Sequence, residues 1–113
     1  FPRSGTAAFC KHYGLDPADV IAVRGPSLGP DAAEFINFDA EWGDEFRPWY
    51  NPATHCMNLW ALTRRQLQAA GLKPENIHGI DLCTHARTDL FHSFRRDGAN
   101  SGRQASCIWI AGA

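Results

Sequence analysis

The side chains best suited to chemistry crowd into the last third of the chain. Cys83-Thr84-His85 leads into Phe91-His92-Ser93-Phe94-Arg95-Arg96-Asp97 and then Ser101-Gly102-Arg103, between apolar runs at 77–82 and 105–110. Guanidinium groups grip phosphate or carboxylate through paired, charge-assisted hydrogen bonds, and a glycine-bearing loop lets backbone N–H groups join them. Arg95, Arg96 and Arg103 around Asp97-Gly98, with Ser93 alongside and Arg87 nearby, therefore form a candidate anion site. The competing reading leaves these arginines solvated, or paired with Asp97 and Asp89.

Two further constellations carry suitable atoms. Cys83, His85 and His92 offer zinc or copper donors without a recognised ligand spacing. An extended 91–95 segment would send His92 and Ser93 to opposite faces, so the three donors are not obliged to meet. His55-Cys56 pairs a thiol with a base, but sequence neighbours rarely reach the geometry of proton transfer. No metal ligand is assigned within this chain.

These groups must be positioned by alternating helical and extended segments. Ser4 is expected to cap a first helix ending at Gly14, and Asp16-Pro17 to start a short turn. The β-branched run 20–23 reads as a buried strand, followed by a rigid bend with Gly-Pro steps at Gly25-Pro26 and Gly29-Pro30. Phe38, Trp42, Phe46 and Trp49 recur at spacings of four, four and three, which predicts a helix over 37–49 with an aromatic stripe facing the core, if Gly43 is tolerated. Asn58 caps the clearest helix, with Leu59, Leu62, Leu67 and Ala70 inward, Arg64 and Arg65 mostly outward, and Gly71 at its end. Residues 77–82, 91–95 and 104–110 read as strands, the last two as an antiparallel pair joined by a loop. The expected class is α+β, or mixed α/β, with a mixed β-sheet covered by helices.

Composition narrows the function. A chain of 113 residues that is 44% hydrophobic suits a single domain with a modest core. Its net charge of −1, with acidic residues among the arginines, argues against nucleic acid as partner. No apolar run reaches the roughly 18 residues of a membrane helix. Cys10, Cys56, Cys83 and Cys107 lie far apart, which reads as reduced thiols in a cytoplasmic protein.

Taken together, the residues resemble the C-terminal half of the laccase-domain family, also called multicopper polyphenol oxidase or purine nucleoside phosphorylase-like proteins. The markers run along nearly the whole chain. They include Gly25-Pro26, Leu28-Gly29-Pro30 and Glu34-Phe35, then Leu59-Trp60, Arg65-Gln66-Leu67 and Gly71, then Cys83-Thr84. The most specific group is Phe91, Ser93 to Asp97, and Gly102-Arg103.

The resemblance implies a mixed α/β sandwich and an enzyme family assigned to purine nucleoside phosphorolysis and adenosine deamination at a zinc or copper site. The family's metal donors lie in His-Gly, Asp-Cys and His-Ala-Gly-Trp-Arg-Gly motifs of its N-terminal half; the last two do not occur here, the one His-Gly step is His78-Gly79, and Phe1 is expected to fall just after the last motif. Asp31-Ala32 and Ala86 also depart from the family's cysteines. The older oxidase name carries little weight, because His12, His55, His78, His85 and His92 are scattered. What the resemblance leaves to this chain is a pocket wall: Arg95, Arg96 and Arg103 for phosphate, and Thr84, His85 and Ser93 for a purine nucleoside. The piece is expected to be inactive alone and to partner a missing N-terminal half or a second copy. The alternative is a non-catalytic, self-associating or ligand-binding remnant.

Overall fold

The computed structural model describes residues 1–112. Helix α1 spans Pro2–Tyr13 and ends at Gly14, whose φ of 65° is a left-handed stop that glycine adopts without strain. The helix begins two residues before the expected Ser4 cap. Proline suits a first helical turn because its missing N–H would be unpaired there, and the Ser4 hydroxyl donates to the Phe1 carbonyl instead (3.1 Å). Asp16 then accepts from the Ala18 N–H at 2.9 Å and opens the turn Pro17–Asp19, as its type and the following proline predict.

Strand β1, Ala22–Arg24, pairs in parallel with β4, Ile77–Gly79, in the register Ala22↔Ile77, Val23↔His78 and Arg24↔Gly79. Val20 and Ala22 pack on the cluster of Leu67, Leu72 and Ile77. The period of two sends Ile21 and Val23 the other way, 62% and 51% exposed, so this run is half-buried rather than buried as expected.

The expected helix over 37–49 is broken into α2, Phe38–Glu41, and a 3₁₀ turn, Asp44–Trp49. Trp42 is extended before Gly43, and Pro48 cannot supply the N–H that an α-helix requires. The aromatic stripe survives the break. Phe38 is buried with Ala33, Met57 and Leu62, and Trp42, Phe46 and Trp49 pack against that core. Strands β2, Tyr50–Asn51, and β3, Cys56–Met57, form a short antiparallel ladder that the sequence did not suggest.

Helix α3, Leu59–Ala69, starts where Asn58 accepts from the Ala61 N–H at 3.0 Å, and it buries Leu62 in one cluster and Leu67 in the other. Arg64 lies outside as expected, yet its guanidinium donates to the carbonyls of Ile77 (2.8 Å) and Pro74 (3.1 Å) and so ties α3 to β4.

The last two expected strands are corrected. Residues 91–95 are not a strand: Ser93 caps the short helix α4, Phe94–Asp97, its hydroxyl accepting from the Arg96 N–H at 3.4 Å. Capping chemistry outweighs a weak strand signal that contained no β-branched residue. Residues 104–110 are irregular and exposed, and no antiparallel pair forms, because strand propensity is realised only against a neighbouring edge. The class is a mixed α/β fold, with two separate two-stranded ladders among the described residues.

Candidate functional site

The site begins where the parallel strands end. Beyond β1, Ser27 bridges to Cys83, with Ser27 N–H donating to Leu82 O (3.2 Å) and Thr84 N–H donating to Ser27 O (3.1 Å). Gly29 passes so close beneath Cys83 that its N–H donates to Sγ at 3.2 Å, and a methyl there would meet that sulfur at the same distance. The crevice outside the carboxyl ends of parallel strands is where open α/β sheets usually place ligands.

Arg96 organises the loop that follows. Its guanidinium donates to the carbonyls of Thr84 (3.1 Å), His85 (3.0 Å) and Phe91 (2.9 Å), and it pairs with Asp97 at 2.9 Å. Five donors in a planar fork suit such convergent carbonyls, whereas an ammonium could not span them. Thr84 and Ser93 are buried beside this knot and His85 is half-buried, so four of the six expected site residues come together.

The other two do not join them. Arg95 donates to the Glu34 carbonyl at 2.6 Å and stands over the Phe35 ring at 5.0 Å. There it lines an open cleft of about 440 Å³ with Phe35, Asn37, Glu41 and Trp42. Phe35 and Trp42 meet edge to face at 5.3 Å, so the cleft has an aromatic floor, one cation and two carboxylates, the second being Glu34. Arg103 donates to the carbonyls of Ser101 (3.2 Å) and Gly102 (3.1 Å) in its own loop and is exposed. Arg87 pairs with Asp89, and their hydrogen bond holds the Asp89 carboxyl below its ordinary value and raises the guanidinium.

His92 and Ser93 do face opposite ways. Ser93 is buried, while His92 is exposed, its backbone clamped by the Gln104 amide through bonds of 2.8 and 3.1 Å. His55 bonds to the Tyr50 hydroxyl through Nδ1 at 2.9 Å rather than to its neighbour Cys56, and its φ of 58° is the one positive value among described non-glycine residues. Cys56 Sγ instead lies 3.5 Å from the Thr54 carbonyl.

Sequence reasoning missed two parts of this arrangement. Arg24 stacks on Trp60 at 4.5 Å and pairs with Asp81, while Ser27 Oγ accepts from Trp60 Nε1 (2.8 Å) and Arg24 (3.3 Å). No spacing rule links residues that far apart. The Phe35–Trp42 floor had a signal: Gly43 and Pro48 both mark a break that frees Trp42 from a continuous helix.

The model of the family described as multi-copper polyphenol oxidoreductase laccase matches residues 2–111. This chain belongs to that family. Among its laccase-family relatives, human "Purine nucleoside phosphorylase LACC1" is 32% identical over 91% of this chain and 26% of its own length. "Purine nucleoside phosphorylase YfiH" of Escherichia coli (strain K12) is 32% identical over 87% of the chain and 42% of itself. A purine nucleoside phosphorylase of Xylella fastidiosa (strain Temecula1) is 37% identical over 83% of the chain and 38% of itself. The crystal structure of the hypothetical protein YfiH from Bacillus licheniformis shares the fold, with a TM-score of 0.66 at 24% identity over 84% of this chain and 39% of that one. The chain thus spans well under half the length of each of these relatives.

The family's name implies copper. Among the described residues no three His, Cys, Asp or Glu side chains converge to hold an ion, so these donors do not fit a metal and no step is derived through one. Among the described residues no helix is long and apolar enough to cross a membrane.

Proposed function

We propose that this chain forms the substrate-facing wall of a cytoplasmic, purine nucleoside-acting laccase-domain protein, whose zinc- or copper-binding donors lie outside Phe1–Ala113. The observation that carries this reading is the Arg95 cleft, where a guanidinium, an aromatic floor and carboxylates border a space large enough for a nucleoside. The names of the human, Escherichia coli and Xylella fastidiosa relatives support the same substrate class.

In phosphorolysis, a phosphate oxygen bonds to ribose C1′ as the C1′–N9 bond breaks and its electron pair leaves with the purine. Arg95 holds the phosphate, because its guanidinium has N–H groups left after the bond to Glu34 O. Phe35 and Trp42 pack on the flat base, and the Glu41 carboxylate accepts from its N–H groups. His85 and Arg103 do not line this cleft. Thr84, Ser93 and Arg96 act as positioning residues, since their polar atoms already hold the loop together. Adenosine deamination is the companion activity of the same pocket.

Inosine and adenosine turnover should be measured with the chain alone and after a family N-terminal portion is added. No turnover alone and turnover after addition are expected, with Arg95→Ala in the completed protein raising the KM for phosphate at least tenfold. Turnover by the chain alone, or an unchanged phosphate KM, overturns the reading. A self-associating, non-catalytic role is the second reading, favoured by exposed Phe94, Ile108, Trp109 and Ile110. A compact monomer by sedimentation would remove it.

A further inference from the structure

A second hollow, of about 370 Å³, lies between α3 and β4 and shares no lining residue with the Arg95 cleft. Two guanidinium groups border it, Arg24 from β1 and Arg64 from α3, together with Trp60, His78 and Asp81. Neither arginine has a part in the function proposed above.

Arg24 is built into its place. Its side chain is only 14% exposed, its guanidinium lies over the Trp60 ring at 4.5 Å, and it donates to Ile80 O at 3.1 Å and Ser27 Oγ at 3.3 Å. Gly79 makes room for it, because a methyl group there would meet Arg24 Nη2 at 2.9 Å. Stacking uses the flat face of a guanidinium and leaves its edge, where the N–H groups point, able to take an anion. Arg64 is oriented by the carbonyls of Ile77 and Pro74, which fix a guanidinium without cancelling its charge.

The charges on this hollow do not balance. Asp81 is its single carboxylate among the described residues, and it pairs with Arg24 while its own side chain stays 76% exposed. Arg64 has no carboxylate partner among the described residues. Two guanidinium groups against one acid leave a local excess of positive charge, with the His78 imidazole as a further polar group on the wall.

We infer that this hollow binds a small phosphomonoester, with its phosphate dianion taken by Arg24 and Arg64. Each planar fork offers paired N–H groups that match two phosphate oxygens, so two forks on one hollow suit a dianion better than a monoanion. The space beyond one phosphate is bordered by Thr63 and Leu67, which suits a short body carrying hydroxyl and carbon surface. Asp81 competes with the phosphate for Arg24, and an exposed carboxylate is released to water at little cost.

The test follows the Arg24 and Arg64 Nε–H signals of the full chain by NMR as glucose 6-phosphate is added, with inorganic phosphate and sodium chloride at matched ionic strength as parallel titrations. Both signals should shift and saturate with the ester, inorganic phosphate should bind about threefold more weakly for want of the body contacts, and chloride should move neither. Arg64→Gln should weaken the ester about tenfold, the loss of one charge-assisted pair. Because Arg64 also ties α3 to β4, Asp81→Asn provides the variant that spares the fold, and removing the rival carboxylate should tighten the ester about threefold. Arg95→Ala should leave this titration unchanged, which separates the hollow from the Arg95 cleft. Shifts reproduced by chloride, inorganic phosphate binding as tightly as the ester, weaker binding in Asp81→Asn, or loss of the titration in Arg95→Ala would each overturn the inference.

Discussion

Two neighbouring segments of this molecule, 83–97 and 103–110, look alike on paper, since both mix polar and apolar residues and each holds a run that reads as strand, 91–95 and 104–110, yet they end in opposite states. The first is drawn inward around Arg96, whose charge is neutralised by three carbonyls and Asp97, with Ser93 and Thr84 buried beside it. The second carries the larger apolar side chains and lies in water. Hydrophobicity alone therefore did not decide which segment was buried. A cation placed where backbone carbonyls converge organised one, and the lack of a bonded strand edge among the described residues left the other open.

The largest expected effect comes from removing the organiser. Arg96→Ala should lower the free energy of unfolding by about 3 kcal/mol in urea titrations, since hydrogen bonds to a charged group contribute about 1.5–3 kcal/mol each and several are lost together. Arg96→Lys should recover little of that, because a point charge cannot reach three carbonyls at once. A loss under about 1 kcal/mol would show that the knot is not what holds the segment.

Ser93→Ala tests the same segment more gently, and the loss of a cap should cost about 1 kcal/mol, read as a lower midpoint with unchanged slope. In the other segment, Trp109→Ala and Arg103→Ala should each shift the stability of the isolated chain by no more than about 0.5 kcal/mol. A larger shift for Trp109→Ala would mean that this segment is packed in solution and the contrast fails.

The smallest effect is electrostatic. The Arg87 hydrogen bond lowers the Asp89 carboxyl in the folded chain, so this pair contributes stability fully above the unfolded carboxylate range and loses it as pH falls through the folded value. Asp89→Asn should flatten the acid limb of the stability profile below about pH 4, and only at low salt, since the pair is exposed. Direct titration of the Asp89 carboxyl by NMR checks the sign.

How much was legible in the sequence follows the range of the forces involved. Local signals translated well: Gly14 and Asn58 mark real helix ends, Asp16-Pro17 a real turn, and the aromatic spacing from Phe38 to Trp49 a real core stripe even across a broken helix. Signals that depend on a distant partner did not. The 104–110 run has strand composition but pairs with no strand edge among the described residues, and the β2–β3 ladder arises from a two-residue match that no pattern announces. The candidate site divides along the same line. Grouping Thr84, His85, Ser93 and Arg96 was visible from proximity in the chain, whereas the turn of Arg95 toward Phe35 depends on a contact across 61 positions.

Ser27 gives the site its mechanical character. Its hydroxyl receives Trp60 and Arg24 while its backbone is bonded on both sides of Cys83, so α3, the end of β1 and the Cys83 loop meet at one small residue. A hinge needs a place where elements can part, and these three cannot part without breaking several bonds together. The corner built on Ser27 is therefore a fixed jaw beneath the Cys83 loop.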